Sequence, residues 1–122
     1  NNLLWVWGAN GPRDIPGDEA YDYKDFYPGK DYVDVLGADV YHKDYEQKDY
    51  NELLDVAKGK LIALTEVGEL PNAIILKAQP KWVWFLVWNN FINPPANSKQ
   101  DVNAIYDLPQ VLTHDEVKSK GL

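Results

Sequence analysis

Leu61-Ile62-Ala63-Leu64-Thr65-Glu66-Val67-Gly68 sets the architecture of this chain. Leu61 to Thr65 is a short uncharged run, as expected of a β-strand covered on both faces. It ends on a carboxylate, Glu66, placed where a buried strand leaves its sheet. Such a charge costs desolvation energy unless it is paired or used.

Working backwards, Tyr50-Asn51-Glu52-Leu53-Leu54-Asp55-Val56-Ala57 places Tyr50, Leu53, Leu54 and Ala57 at i, i+3, i+4 and i+7. That spacing predicts an amphipathic helix. Asp49 is expected to cap it, with Glu52 completing a capping box, and Gly59 to supply a left-handed stop. Val33 to Tyr41 reads as the preceding strand. Leu3 to Trp7 reads as a still earlier one, short and buried, broken by Gly8-Ala9-Asn10-Gly11-Pro12. Residues 13 to 31 form a long acidic, tyrosine-rich connection with room for a short helix.

Working forwards, Pro71 is placed to start a short helix carrying Ile74, Ile75 and Ala78, and Pro80 to end it. Lys81 to Trp88 is the fourth strand. Alternation assigns Trp82, Trp84, Leu86 and Trp88 to one side and Val83, Phe85 and Val87 to the other. Ser98 is expected to cap a helix with Val102, Ile105 and Tyr106 inward. Thr113 with Glu116 reads as a final capping box. The order β, loop, β, α, β, α, β, α implies a parallel sheet with right-handed crossovers. Four strands do not close an eight-stranded barrel. An open α/β sheet and half of a (β/α)8 barrel both fit.

The 122 residues suit one domain, with 45% hydrophobic and 25% charged content. A net charge of −7 disfavours nucleic acid and anionic membrane surfaces, which need a positive footprint, and leaves a neutral polymer open. Cysteine is absent, which removes disulfides and thiolate metal sites. Methionine is absent too, and the chain runs from Asn1 almost directly into an apolar stretch. A processed product or a fragment of a longer protein is the expectation. The apolar run from Trp82 to Trp88 is far too short for a transmembrane helix.

Active residues of parallel α/β folds gather at the C-terminal ends of strands. Tyr41, Glu66 and Trp88 meet that condition. A carboxylate, a phenol and an indole at one sheet edge suit a sugar: the carboxylate for catalysis, the indole for the C–H face of the ring. Taken singly, each has a plainer reading: a paired carboxylate, a strand-end tyrosine, a core tryptophan. His42 and His114 lack zinc spacing. Asp14, Asp18, Asp22 and Asp25 lack the EF-hand pattern, so a solvated acidic loop is expected. No cofactor and no metal are expected.

Five stretches occur together in order: Leu3-Leu4-Trp5-Val6-Trp7, Tyr27-Pro28-Gly29-Lys30-Asp31-Tyr32-Val33-Asp34-Val35-Leu36-Gly37, Asp39-Val40-Tyr41, Ala63-Leu64-Thr65-Glu66-Val67-Gly68 and Trp82-Val83-Trp84-Phe85-Leu86-Val87-Trp88. As a set they resemble the C-terminal half of β-mannanases of glycoside hydrolase family 26. The resemblance implies a partial catalytic domain over residues 1–122, the second half of a (β/α)8 barrel. Its strands five to eight would be Leu3–Trp7, Val33–Tyr41, Leu61–Glu66 and Lys81–Trp88. It implies that Glu66 is the nucleophile, that Tyr41 orients it, and that Trp88 floors the sugar site. Trp5, Asp39 and His42 are the further substrate-binding candidates. It implies a secreted or cell-surface enzyme hydrolysing mannan or galactomannan within the chain.

The family's acid/base glutamate lies in a His-Glu motif of the first half of the barrel, and no such motif occurs here. Retaining hydrolysis needs two carboxylates about 5 Å apart, so this chain alone is expected to be nearly inactive. Half a barrel also leaves two strand edges and an apolar face open. The missing N-terminal half is therefore an expected partner, beside the polysaccharide. Other sugars of the same family, mixed-linkage glucan and xylan, stay open. So do a non-catalytic carbohydrate-binding module and a plain structural domain.

Overall fold

The computed structural model describes residues 2–11 and 21–121. Asp14 and Asp18 and most of the 13–31 connection's first half lie outside them. The strands are β1 (Val6–Asn10), β2 (Val35–Val40), β3 (Leu61–Val67) and β4 (Trp82–Val87). All neighbouring pairs are parallel, in the order β1-β2-β3-β4. The helices among the described residues are α1 (Tyr23–Phe26), α2 (Gln47–Ala57), α3 (Ala73–Ala78), α4 (Lys99–Tyr106) and α5 (His114–Lys120). Spatial order follows chain order. A doubly wound open sheet reverses direction at a switch point, whereas a (β/α)8 barrel adds each strand beside the last. The chain is therefore one half of such a barrel.

One face of the sheet is covered. Leu36, Ala38 and Val40 of β2 and Ile62, Leu64 and Val67 of β3 pack with Tyr50, Leu53 and Ala57 of α2 and Ile105 of α4. On the other face Val83, Trp84 and Leu86 stand exposed, as does Val6. These are the open edges and open face expected of a half barrel.

The first strand lies later than its sequence suggests. Val6 pairs with Val35, and Gly8-Ala9-Asn10 continue the ladder instead of breaking it. Glycine serves close approach here, not a turn. A Cβ on Gly37 would sit 2.2 Å from Thr65 Cγ2, and one on Gly8 would sit 2.9 Å from Thr65 Oγ1. Leu3, Leu4 and Trp5 are exposed, not buried, since among the described residues no strand lies outside β1.

Strict alternation also fails in β4. Trp82, Phe85 and Val87 all join the core cluster. Ile62 pairs with Trp82 and Leu64 with Phe85, so β4 carries an extra residue between those pairs. That irregularity turns Val83 and Trp84 together to the open face.

The helix before β3 begins at Gln47, and its N-cap Glu46 makes no side-chain cap hydrogen bond. Asp49 is therefore not the cap, and the box with Glu52 does not form. Starting a turn earlier lets Tyr50 sit within the helix, edge-on to Trp82 at 5.2 Å, while its hydroxyl accepts Lys81 N–H. Lys58 (φ 50°) and Gly59 (φ 91°) share the left-handed stop. Likewise α3 is capped by Asn72, whose side chain accepts Ile75 N–H. Pro71 is buried before it, and Ile74 is exposed. The Ser98–Asp101 and Thr113–Glu116 capping boxes both form. Tyr106 is only partly covered, with its ring tilted on Phe85.

Candidate active site

A second irregularity builds the site. Ala38 pairs with Leu64, but Asp39 pairs with Glu66, so β3 holds an extra residue at this point. Leu64 and Val67 both reach the core. The two residues between them, Thr65 and Glu66, both turn to the opposite face. There they meet Asp39 and Tyr41, which follow each other at period two on β2 and its end. The Thr65 hydroxyl donates to Asp39 Oδ1 at 2.7 Å. The Tyr41 hydroxyl donates to Glu66 Oε2 at 2.8 Å. A bulge at a strand's C-terminal end thus aims two adjacent side chains at one place.

Trp88 completes the group. Its side chain hydrogen-bonds the Tyr41 hydroxyl, and its indole is about half exposed. Phe91 meets the Tyr41 ring edge-on at 5.6 Å. Gly68 leaves the space both rings occupy: a Cβ there would lie 2.8 Å from Tyr41 Cδ1. The hydroxyl–carboxylate contact is consequently set by packing on the ring, not by a free rotor.

Burial first, then donation to Glu66, raises the Tyr41 phenol above its usual value, against the Trp88 hydrogen bond. It stays a proton donor at neutral pH. Asp39 is pushed up by desolvation and by the nearby Glu66 charge, and held down by the Thr65 hydrogen bond. Two carboxyl groups thus stand side by side, each with its own hydroxyl donor. A half-buried carboxylate gripped by a neutral phenol, beside an exposed indole, can attack an electrophilic carbon lying on that indole.

The loops after the strands are tied together. Asn97, buried, accepts Leu70 N–H at 2.8 Å and donates to the carbonyls of Gly68 and Phe91 at 2.9 and 2.7 Å. The backbone N–H of His42 donates to Glu69 Oε2, and the Tyr45 hydroxyl donates to the Glu69 carbonyl.

Of the residues singled out from sequence, Glu66, Tyr41, Trp88 and Asp39 come together. His42 lies at the rim in a left-handed turn (φ 61°), exposed, with its backbone engaged. Trp5 does not join them. It precedes β1, where its N–H donates to Asp34 Oδ2, so it lies at the N-terminal end of the sheet. Thr65, Phe91 and Asn97 were missed. Thr65 could have been found as a hydroxyl directly before the strand-end carboxylate. Asn97, in a loop far from any motif, carries no such signal.

The pattern of the family described as "Glycosyl hydrolase family 26" matches residues 1–116. The mannan endo-1,4-beta-mannosidase of Thermothelomyces thermophilus is 40% identical over 97% of this chain and 23% of its own length. The solved structure of GH26A from a Muricauda species superposes with a TM-score of 0.88 at 63% identity, over 94% of this chain and 37% of that one. The Podospora anserina GH26-CBM35 beta-(1,4)-mannanase gives 0.76 at 39% identity, over 96% and 25%. This chain therefore spans between about a quarter and just over a third of those proteins. A strand order that grows a barrel, a carboxylate gripped at its rim and these likenesses converge: the chain belongs to glycosyl hydrolase family 26.

Proposed function

We propose that this chain is the nucleophile-bearing part of a retaining endo-β-1,4-mannanase, with residues 1–122 forming part of a single catalytic domain. The observation that carries the reading is the Tyr41–Glu66 hydrogen bond of 2.8 Å beside the Trp88 indole, at the C-terminal edge of a parallel sheet. The similarity to mannan endo-1,4-beta-mannosidases supplies the sugar.

A mannosyl ring lies with its C–H face on Trp88. A Glu66 carboxylate oxygen attacks the anomeric carbon as the glycosidic C–O bond breaks. The leaving oxygen takes a proton from a carboxylic acid, yielding a mannosyl ester on Glu66. Water, losing its proton to the same acid's carboxylate, then attacks the anomeric carbon and frees Glu66. Tyr41 holds the nucleophile at one oxygen and leaves the other to react. Asp39 stands beside Glu66 on the same face and is tied to Thr65. The acid, which must approach the glycosidic oxygen from elsewhere, is assigned to the remainder of the barrel. In this reading Asp39 and His42 line the sugar site. A polymeric substrate does not cross membranes, so the enzyme acts outside the cell.

In the full-length protein, Glu66→Ala should lower kcat on β-mannan by several orders of magnitude with the fold unchanged. Azide should restore turnover of an activated aryl β-mannoside, releasing the α-mannosyl azide. Near-normal hydrolysis by this variant rejects the assignment.

A further inference from the structure

We propose that Thr65 is a positioning residue of the reaction: its hydroxyl, seated in the slot left by Gly8 and Gly37, holds Asp39 and fixes the bulge that aims Glu66. The proposal rests on the reading of Glu66 as nucleophile and deepens it.

The slot is the first observation. Gly8 and Gly37 pair directly across β1 and β2. Side chains there would collide with Thr65, at 2.9 Å from its Oγ1 and 2.2 Å from its Cγ2 respectively. Two strands have thus given up a side chain at the same level, and the β-branched Thr65 fills the space. A β-branched residue has few χ1 choices, so the slot fixes both its methyl and its hydroxyl.

The second observation is where that hydroxyl points. It donates to Asp39 Oδ1 at 2.7 Å. Asp39 neighbours Glu66 in the ladder and feels its charge, and its own charge is felt by Tyr41. Two adjacent carboxylates compete for donors. With Asp39 satisfied by Thr65, the Tyr41 phenol is left to Glu66. Without Thr65, Asp39 loses its donor, the bulge loses its anchor, and the nucleophile loses its fixed orientation. The third observation is sequence adjacency. Thr65 and Glu66 share the bulge, so anchoring one sets the backbone of the other.

Valine and serine separate the two halves of the threonine side chain. Thr65→Val keeps the filling and removes the hydroxyl; Thr65→Ser keeps the hydroxyl and removes the methyl. In the full-length protein, Thr65→Val should lower kcat on mannan about 10- to 100-fold while KM changes less than about threefold and the melting temperature holds. Thr65→Ser should stay within about threefold of the wild-type kcat. Among the described residues, the titratable groups linked to Asp39 by charge are Glu66 of β3, Tyr41 at the end of its own strand and Tyr23 of α1. Loss of the Thr65 donor lifts Asp39 further. Serine restores the hydroxyl but not the methyl, so rescue by serine and not by valine is a result that a space-filling role would not give.

A Ser variant as impaired as the Val variant overturns the proposal. If Thr65→Val does not fold, Thr65→Ala against Thr65→Ser reads the same hydroxyl, and equal kcat in those two overturns it as well. An inactive Glu66→Ala beside a normal Thr65→Val removes the positioning role alone. Activity surviving in Glu66→Ala removes the nucleophile reading and this proposal with it.

Discussion

Tyr41→Phe removes one oxygen from the site and almost nothing else. The ring remains packed on Phe91 at 5.6 Å and over Gly68, so its position does not depend on the hydroxyl. What disappears is the 2.8 Å donation to Glu66 Oε2. A hydrogen bond to a charged group contributes about 1.5–3 kcal/mol. Each 1.36 kcal/mol of barrier is about tenfold in rate, so kcat/KM should fall about 10- to 150-fold. The indole of Trp88 loses its acceptor but is half exposed, and water replaces the contact. Stability should therefore change by less than about 1 kcal/mol. The assay is steady-state hydrolysis of a soluble β-mannan by the full-length protein, with calorimetric melting run in parallel. A variant within about threefold of the wild-type kcat/KM would refute the idea that the phenol sets the nucleophile.

Three other outcomes are expected. Burial lifts the Asp49 carboxyl to about 6. The folded protein then holds that proton more tightly than the unfolded chain, so stability present below about pH 4 is lost as pH rises through about 6. The penalty near pH 7 is on the order of 2–3 kcal/mol. Asp49→Asn should raise the melting temperature of the full-length protein at neutral pH and leave it unchanged at about pH 3.5; equal shifts at both would contradict this. Asn97→Ala deletes three hydrogen bonds to buried or part-buried backbone and should cost about 3 kcal/mol in denaturant melts, whereas a cost under about 1 kcal/mol would dismiss its role as a tie. The chain on its own, with Trp5, Val6, Val83, Trp84 and Leu86 exposed, should self-associate in sedimentation and hydrolyse no mannan; a monomer with a cooperative melt counts against the open-face account.

Much of this was readable in the residues, for reasons that differ by element. The β3–α2 pair was legible because an uncharged run and a 3.6-residue stripe are unlike each other and adjacent. The carboxylate, phenol and indole were legible because each ends its strand, and strand ends converge in parallel sheets. The two register irregularities were not. Nothing local in Leu64-Thr65-Glu66 or Trp82-Val83-Trp84 announces an extra residue; it arises from the demand that Leu64 and Val67, or Trp82 and Phe85, all reach one core. The same holds for Gly8, which reads as a breaker until Thr65 is seen to occupy its missing side chain. Asp49 suits an N-cap by type, yet the need to place Tyr50 against Trp82 wound the helix past it. Trp5 belongs to a motif but not to the site, because a strand has two ends and the motif does not say which.

Asn97 also constrains how this rim can be re-engineered or can diverge. Its amide spans the turn after β3 and the loop after β4, and Glu69 reaches back to the turn after β2. A segment transplanted from a relative into any one of these turns would arrive without its counterparts. New specificities are therefore more readily obtained by exchanging the whole set of turns as a cassette than by swapping them one at a time.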